Sequence, residues 1–362
     1  MDPKAKPWDD GEWGEIMQSI RSISVVGCHA EGEVGDVITG GVLPPAGATM
    51  YDKMRTMERE HDHIRKLLMC EPRGSVARHL NFIVPATRPE CDFGVIIMEP
   101  TEYVPMSGSN LICTVTVALE TGIVPMQEPT TEVTVDTPAG PVKAIAQCRD
   151  GKCLSVEFGN VPCFIDKLDA TIEVAGVGSI TLDVAYGGMF YAIVDATRLG
   201  YEIAPGEARE LAVLGEKVRL AAREQLTVVH PENPGITGVS IVQLNRPFEG
   251  VGKATRNTCI VAPGRSDRSP TGTGTCARMA VLHARKQMKV GEHMFHESII
   301  GSRFKGTIAG ETKVAGRPAI LPRIEGRAWI TGFHSYCLDA GDPYPQGYVV
   351  ADSWGVTGTM QQ

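Results

Sequence analysis

Two stretches of this chain share one design, and that repetition limits its architecture more than any other feature. In Asp267-Arg268-Ser269-Pro270-Thr271-Gly272-Thr273-Gly274-Thr275-Cys276, small hydroxyl and glycine residues stand directly before Ala277, Met279, Ala280, Val281, Leu282 and Ala284. In Pro105-Met106-Ser107-Gly108-Ser109-Asn110 a similar turn precedes Leu111, Ile112, Val115, Val117, Ala118 and Leu119, and Gly122 closes the run. Each predicts a buried helix whose first amide groups are left free. Such ends attract anions, so two of them meeting face to face would hold one carboxylate-bearing ligand.

At 362 residues the chain is too long for one ordinary core, and two domains are expected, one turn in each. A net charge of −8 argues against general binding to nucleic acid or anionic membranes. The ligand is therefore expected to be small. The start, Met1 to Trp13, carries Asp9, Asp10 and Glu12 rather than a basic, apolar leader, and no run approaches the ~18 apolar residues of a membrane span. With ten scattered cysteines, a cytosolic protein with reduced thiols is expected.

Taken in order, Ser22 to Gly27 reads as a strand, and Cys28 to Glu33 as a polar turn in which His29 makes a hydrogen bond. Met54, Met57, His61, Ile64 and Leu68 recur at helical spacing, predicting one amphipathic helix from Tyr51 to the Pro72-Arg73-Gly74 break. His61, His63 and Cys70 lack a fourth partner at metal-ligand spacing. Period-two alternation through Val133, Val142, Leu154 and Ile180 predicts antiparallel strands. Gly187-Gly188 beside aromatics suggests close passage of the backbone by a ligand or another chain. Ala208, Leu211, Gly215, Val218 and Ala222 form one face of a surface helix. Beyond Phe304, glycine and proline punctuation predicts short strands ending at Trp329 to Gly332 and Gly347 to Val350.

Gly272-x-Gly274-x-x-Ala277 superficially fits a dinucleotide fingerprint, but the polar run from Arg265 to Pro270 is not the buried strand that motif requires. The plainer alternative for Ser107, Ser109, Thr271 and Thr273 is helix capping. Two such turns, each packed with glycine, favour a site.

These motifs give the chain its resemblance to the proline racemase family, which includes hydroxyproline 2-epimerases and trans-3-hydroxy-L-proline dehydratases. The match runs through Glu71-Pro72-Arg73-Gly74, Met106 to Asn110, Ala185-Tyr186-Gly187-Gly188 and, most diagnostically, Asp267 to Thr275. The resemblance implies an α+β, diaminopimelate-epimerase-like fold: two similar α/β domains, each a curved, mostly antiparallel sheet around a central helix, with the site in the cleft between them. The expected division is 1–184 with 341–362, and 185–340. The resemblance also implies a homodimer, an imino-acid substrate, and chemistry without metal or pyridoxal cofactor, because helix-end amides stabilise the carboxylate as charge builds. In the family two cysteines flank the substrate α-carbon, and the matching positions here are Ser107 and Thr271. Gly108 and Ser109 would hold one carboxylate oxygen, Gly272 and Thr273 the other, and Asp267 the ring ammonium.

Both thiols are thus replaced by hydroxyls, which ionise far less readily. Thr at the second position matches the family's dehydratases, so the leading expectation is a trans-3-hydroxy-L-proline dehydratase-like lyase: Ser107 removes the α-proton, Thr271 supports loss of the 3-hydroxyl. A 4-hydroxyproline 2-epimerase or proline racemase is the alternative, and a hydroxyproline-binding relative with little catalysis a further one. Cys113 and Cys276 point away around their helices, at ~100° per residue, and cannot stand in. His29, Glu31 and Asp267 are the expected helpers of Ser107.

Overall fold

The computed structural model describes residues 19–354; the acidic start, Met1 to Trp13, lies outside them. Strands β1 (Ser19–Ala30) and β2 (Glu33–Gly40) form a hairpin, β2 runs parallel to β3 (Arg78–Val84), and β3 is antiparallel to β4 (Phe93–Met98). Between β2 and β3 come helices α1 (Met50–Glu60) and α2 (Asp62–Met69). The short β5 (Tyr103–Val104) folds back on β4 and leads into helix α3 (Gly108–Glu120). The chain then returns as β6 (Thr130–Thr137), parallel to β4, and continues in antiparallel β7 (Gly140–Arg149) and β8 (Lys152–Gly159).

The second sheet repeats this plan. Strands β9 (Cys163–Val174), β10 (Gly178–Tyr186) and β11 (Phe190–Asp195) are antiparallel, and helix α4 (Ala208–Gln225) crosses to a short hairpin of β12 (Val229–His230) and β13 (Asn233–Thr237). Strand β14 (Ile241–Asn245) lies parallel to β11 and antiparallel to β15 (Ala254–Val261), on which β16 (Arg265–Ser266) turns back. After helix α5 (Gly272–Ala284) come β17 (His293–Glu297), β18 (Arg303–Val314) and β19 (Arg317–Gly326). Pairing of Ala319 with Phe164 and Ile320 with Cys163 closes this sheet into a ring around α5. The far end of β19 pairs with β8 instead, and β20 (Ala328–Asp339) runs antiparallel along β1. One strand is therefore shared by two sheets, and the last long strand, from the second expected segment, completes the first sheet.

Both central helices are buried on nearly every side, with apolar residues spread around them as suits a helix enclosed by a sheet. All twelve residues from Gly108 to Leu119 are buried in α3, and one hydrophobic cluster joins Leu111, Ile112 and Val115 to Cys276, Met279 and Leu282 of α5. At about 1.5–3 kcal/mol for each fully buried large aliphatic side chain, this shared cluster anchors the two helices to each other as well as to their sheets.

Two expectations need correction. The single helix from Tyr51 is two helices, because His61 leaves the helical region (φ −129°, ψ 16°) and Asp62 starts a fresh first turn, bonded to Arg65 at 2.7 Å. The turn lets Met50, Met54 and Met57 and then Ile64, Leu67 and Leu68 each reach the same core. The strands beyond Phe304 are long rather than short. Two of their glycines are sites of close approach: a Cβ at Gly306 would sit 2.9 Å from Thr275 Cγ2 and Met279 Sδ of α5, and one at Gly326 would overlap the Phe304 ring. At the end of the described chain, only Tyr348 makes an isolated bridge, to Glu71.

Candidate active site

The tips of α3 and α5 meet glycine to glycine. A Cβ on either Gly108 or Gly272 would lie 3.3 Å from the Cα of the other, so a side chain at either position would push the tips apart by a few tenths of an ångström. Gly187 and Gly188 press on the same place: a Cβ on Gly187 would overlap the Thr273 carbonyl oxygen, and one on Gly188 would lie 3.2 Å from Thr273 Cγ2. The glycine pair that suggested a ligand or partner chain thus makes room for the first turn of α5.

Neither flanking hydroxyl caps its helix. Ser107 and Thr271 occupy the N-cap positions, but neither side chain bonds a backbone amide of the first turn. Thr271 Oγ1 donates to Asp267 Oδ2 at 2.6 Å, and Ser107 Oγ accepts from Asn110 Nδ2 at 3.0 Å. The freed amides are those an anion between the tips would need. Thr271 is held at φ 62°, ψ 105°, a conformation β-branched residues avoid. Such strain persists only where surroundings impose it; here the Asp267 bond and the Ser269 Oγ contact to the Thr271 amide, 3.1 Å, do so.

Ser107, Gly108, Ser109, Asp267, Thr271, Gly272 and Thr273 all line one cavity, with His79, Glu99 and Tyr191. The seven residues expected to hold or act on the substrate are therefore brought together. The cavity holds about 30 Å³, room for a single water, so a five-membered ring enters only if the walls part. A larger hollow of about 750 Å³ lies away from the paired tips, between β9, the end of α5 and the β18–β19 hairpin, and contains none of these residues.

Behind the Ser107 wall stands a buried polar chain. Glu33 and Arg265 form an ion pair at 2.5 Å, and Arg265 Nη2 donates to His79 Nε2 at 2.5 Å. His79 Nδ1 lies 3.2 Å from Asn110 Nδ2, the group that holds Ser107. Burial works to raise the Glu33 pKa, but Arg265, His79 and the Arg268 amide outweigh it and hold it at about 2. Burial, reinforced by Arg265, holds His79 down at about 4, so its ring is neutral near pH 7. On the cavity side the balance reverses: burial and then Glu33 push Asp267 up to about 8, and burial and then Glu102 push Glu99 up to about 8.

The expected helpers of Ser107 are mostly elsewhere. His29 stacks on Trp329 and its Nδ1 accepts from the Gly32 amide, while Glu31 bonds Arg327 at 2.9 Å. Both lie at the β1–β2 turn and line no part of the cavity. Asp267 lines the cavity but holds Thr271 rather than Ser107. Cys113 is buried beside Cys28, where burial raises its thiol well above the ordinary value, and Cys276 lies elsewhere in the same core cluster. Sequence reasoning missed Glu99, His79, Arg265 and Tyr191; Glu99 just beyond β4 and Tyr191 within β11 are lone polar side chains at apolar strands, a signal that was available, whereas His79 and Arg265 sit among other polar residues.

The model of the family described as proline racemase matches residues 25–349. Among solved structures, the chain is similar to a hydroxyproline epimerase from Agrobacterium vitis with bound trans-4-hydroxy-L-proline: 41% identity, TM-score 0.86, 94% of this chain and 99% of that one. It is also similar to a probable proline racemase from Agrobacterium radiobacter with bound carbonate: 40% identity, TM-score 0.86, 92% and 98% coverage. A phenazine biosynthesis protein of the PhzF family from Bacillus anthracis, 13% identical over 88% of this chain and 99% of that one with a TM-score of 0.55, shares the fold. Among the described residues, no helix is long and apolar enough to cross a membrane.

Proposed function

We propose that this chain, which belongs to the proline racemase family, is a cofactor-independent isomerase that epimerises 4-hydroxyproline at its α-carbon. The observation that carries this reading is the meeting of Gly108 and Gly272, which aims two sets of free helix amides at one point between Ser107 and Thr271. The substrate carboxylate lies between the tips, held by the Gly108–Ser109 and Gly272–Thr273 amides. As the α-proton leaves, charge flows into that carboxylate, and donors already aimed at it stabilise the enediolate without reorganisation. Ser107 and Thr271 mark the two faces of the α-carbon. On the Thr271 face, the Thr271 hydroxyl turns its proton from Asp267 towards the α-carbon, and Asp267, whose pKa of about 8 keeps it protonated at neutral pH, then donates across the same 2.6 Å contact and replaces the proton delivered. The ring ammonium sits beside the acidic side of the cavity.

The epimerase relatives support this alternative over the dehydratase that Thr271 led us to expect. The dehydratase is the second reading, favoured by Thr271 alone: its hydroxyl would then donate to a departing 3-hydroxyl. Proton NMR in heavy water with trans-4-hydroxy-L-proline, trans-3-hydroxy-L-proline and L-proline separates the two. The epimerase reading expects loss of the α-signal of the 4-hydroxy compound and growth of cis-4-hydroxy-D-proline. Formation of a ketimine from the 3-hydroxy compound alone would replace it with the dehydratase.

A further inference from the structure

The Ser107 face has no thiol, and its hydroxyl already accepts a hydrogen bond from Asn110. A group of greater basicity must work there if the α-proton is to leave, an argument that rests on the epimerase reading above. The other titratable side chains lining the cavity already have partners. Asp267 is engaged by Thr271 and the Ser269 amide, Tyr191 by Thr273 at 2.5 Å, and His79 by Arg265 and Asn110. Glu99 is different: among the described residues its carboxylate makes no hydrogen bond and no ion pair, although it lines the same cavity. Its backbone is held firmly. The Glu99 amide donates to the Glu102 carbonyl at 2.8 Å, closing the turn that joins β4 to β5, and Arg65 Nη1 reaches the Glu99 carbonyl at 3.5 Å. The antiparallel pairs Met98–Tyr103 and Ile97–Val104 fix this turn relative to the segment that enters α3 at Ser107.

We propose that Glu99 is the catalytic base on the Ser107 face, taking the substrate α-proton in place of the thiol that neither turn supplies. The Cα–H bond breaks as a Glu99 O–H bond forms, and the bonding pair moves into the substrate carboxylate, giving the enediolate held between the helix tips. Inversion follows when Thr271 protonates the opposite face and is itself reprotonated by Asp267. After one turnover Glu99 carries one proton more and Asp267 one fewer; turnover in the reverse direction, or exchange with solvent, restores both. The charges around Glu99 suit the task. Burial first, and then Glu102 from its own turn, Asp267 from the loop before α5 and Glu33 from β2, oppose its ionisation, while Arg265 favours it; with the pKa pushed up to about 8, the ionised form that acts as base is the minor one at neutral pH and grows as the pH rises.

The test uses Glu99→Gln, Glu99→Asp and Ser107→Ala in the full chain, with α-deuteration of trans-4-hydroxy-L-proline followed by NMR and binding of the same compound by calorimetry. The expected result for Glu99→Gln is a loss of exchange of at least about 100-fold, with the Kd changed less than about fivefold. Glu99→Asp should recover part of the rate, and Ser107→Ala should lose less exchange than Glu99→Gln. Exchange by Glu99→Gln within threefold of the parent overturns the assignment. So does a loss of binding with the turnover rate retained, which would make Glu99 a ligand of the ring ammonium. If Ser107→Ala abolishes exchange while Glu99→Gln keeps it, Ser107 is the base. Exchange absent from the parent protein with all three imino acids overturns the epimerase reading and this assignment together.

Discussion

Adding one methyl group at the junction of the helix tips, Gly272→Ala, tests the site most directly. Its Cβ would stand 3.3 Å from Gly108 Cα and 3.7 Å from Phe158 Cζ, so the tips must part by a few tenths of an ångström. Neither helix slides easily, because Leu111 and Ile112 of α3 pack in one cluster with Cys276 and Met279 of α5. An amide-to-oxyanion bond stretched from ~2.9 to ~3.3 Å leaves its favourable range. Charge-assisted bonds contribute ~1.5–3 kcal/mol each, so losing about half of one on each helix costs ~1.5–3 kcal/mol, or ~10–100-fold in rate. For stability, the helix preference for alanine over glycine, at most ~1 kcal/mol, opposes a crowding cost of ~1–3 kcal/mol. The melting temperature should therefore fall only by several degrees at most. Calorimetry with trans-4-hydroxy-L-proline, α-deuteration and thermal melting measure these effects side by side. Gly206→Ala, at a position with nothing within 4 Å, is the control. Binding and exchange within twofold of the parent would refute the claim that the tips jointly hold the carboxylate.

Three further outcomes follow from the same geometry. Thr271→Val keeps the side-chain shape but removes the hydroxyl that Asp267 holds; inversion, read by chiral chromatography, should fall at least ~100-fold while solvent exchange with retention continues, and equal losses of both would contradict the two-face arrangement. Asp267 has its pKa raised from 3.8 to about 8, so the folded protein keeps a proton that the unfolded chain releases, and stability contributed at low pH is lost between about pH 4 and 8. Asp267→Asn should remove that part of the slope, gaining on the order of 1–4 kcal/mol over the parent by pH 8; melting curves that shift in parallel from pH 5 to 8 would contradict the buried, protonated carboxyl. Glu33→Ala leaves Arg265 buried without its carboxylate, which should cost ~3–5 kcal/mol in urea unfolding, and an unchanged midpoint would show that the pair is not closed to water.

The paired turns were legible because their information is local. A helix start is written in consecutive residues, and the glycines at 108, 187, 188 and 272 stand where a Cβ would crowd a neighbour. The break at His61 was hidden because apolar spacing continues through it, and periodicity does not record where the backbone turns. The long strands after Phe304 were hidden for a related reason: glycine reads as punctuation in a sequence, but Gly306 and Gly326 are pressed against α5 and Phe304 inside continuous strands.

The site divides in the same way. The sequence alone determined which residues carry the two helix tips, that hydroxyls stand where the family has thiols, and the kind of ligand such tips attract. Only tertiary structure decided that Thr271 bonds Asp267, that His29 and Glu31 lie apart, and that Glu99, from a turn eight positions before Ser107, faces the same cavity. The physical reason is range: helix-end dipoles and glycine packing follow from neighbours in the chain, whereas the basicity of a carboxylate depends on which distant charges and how little water surround it.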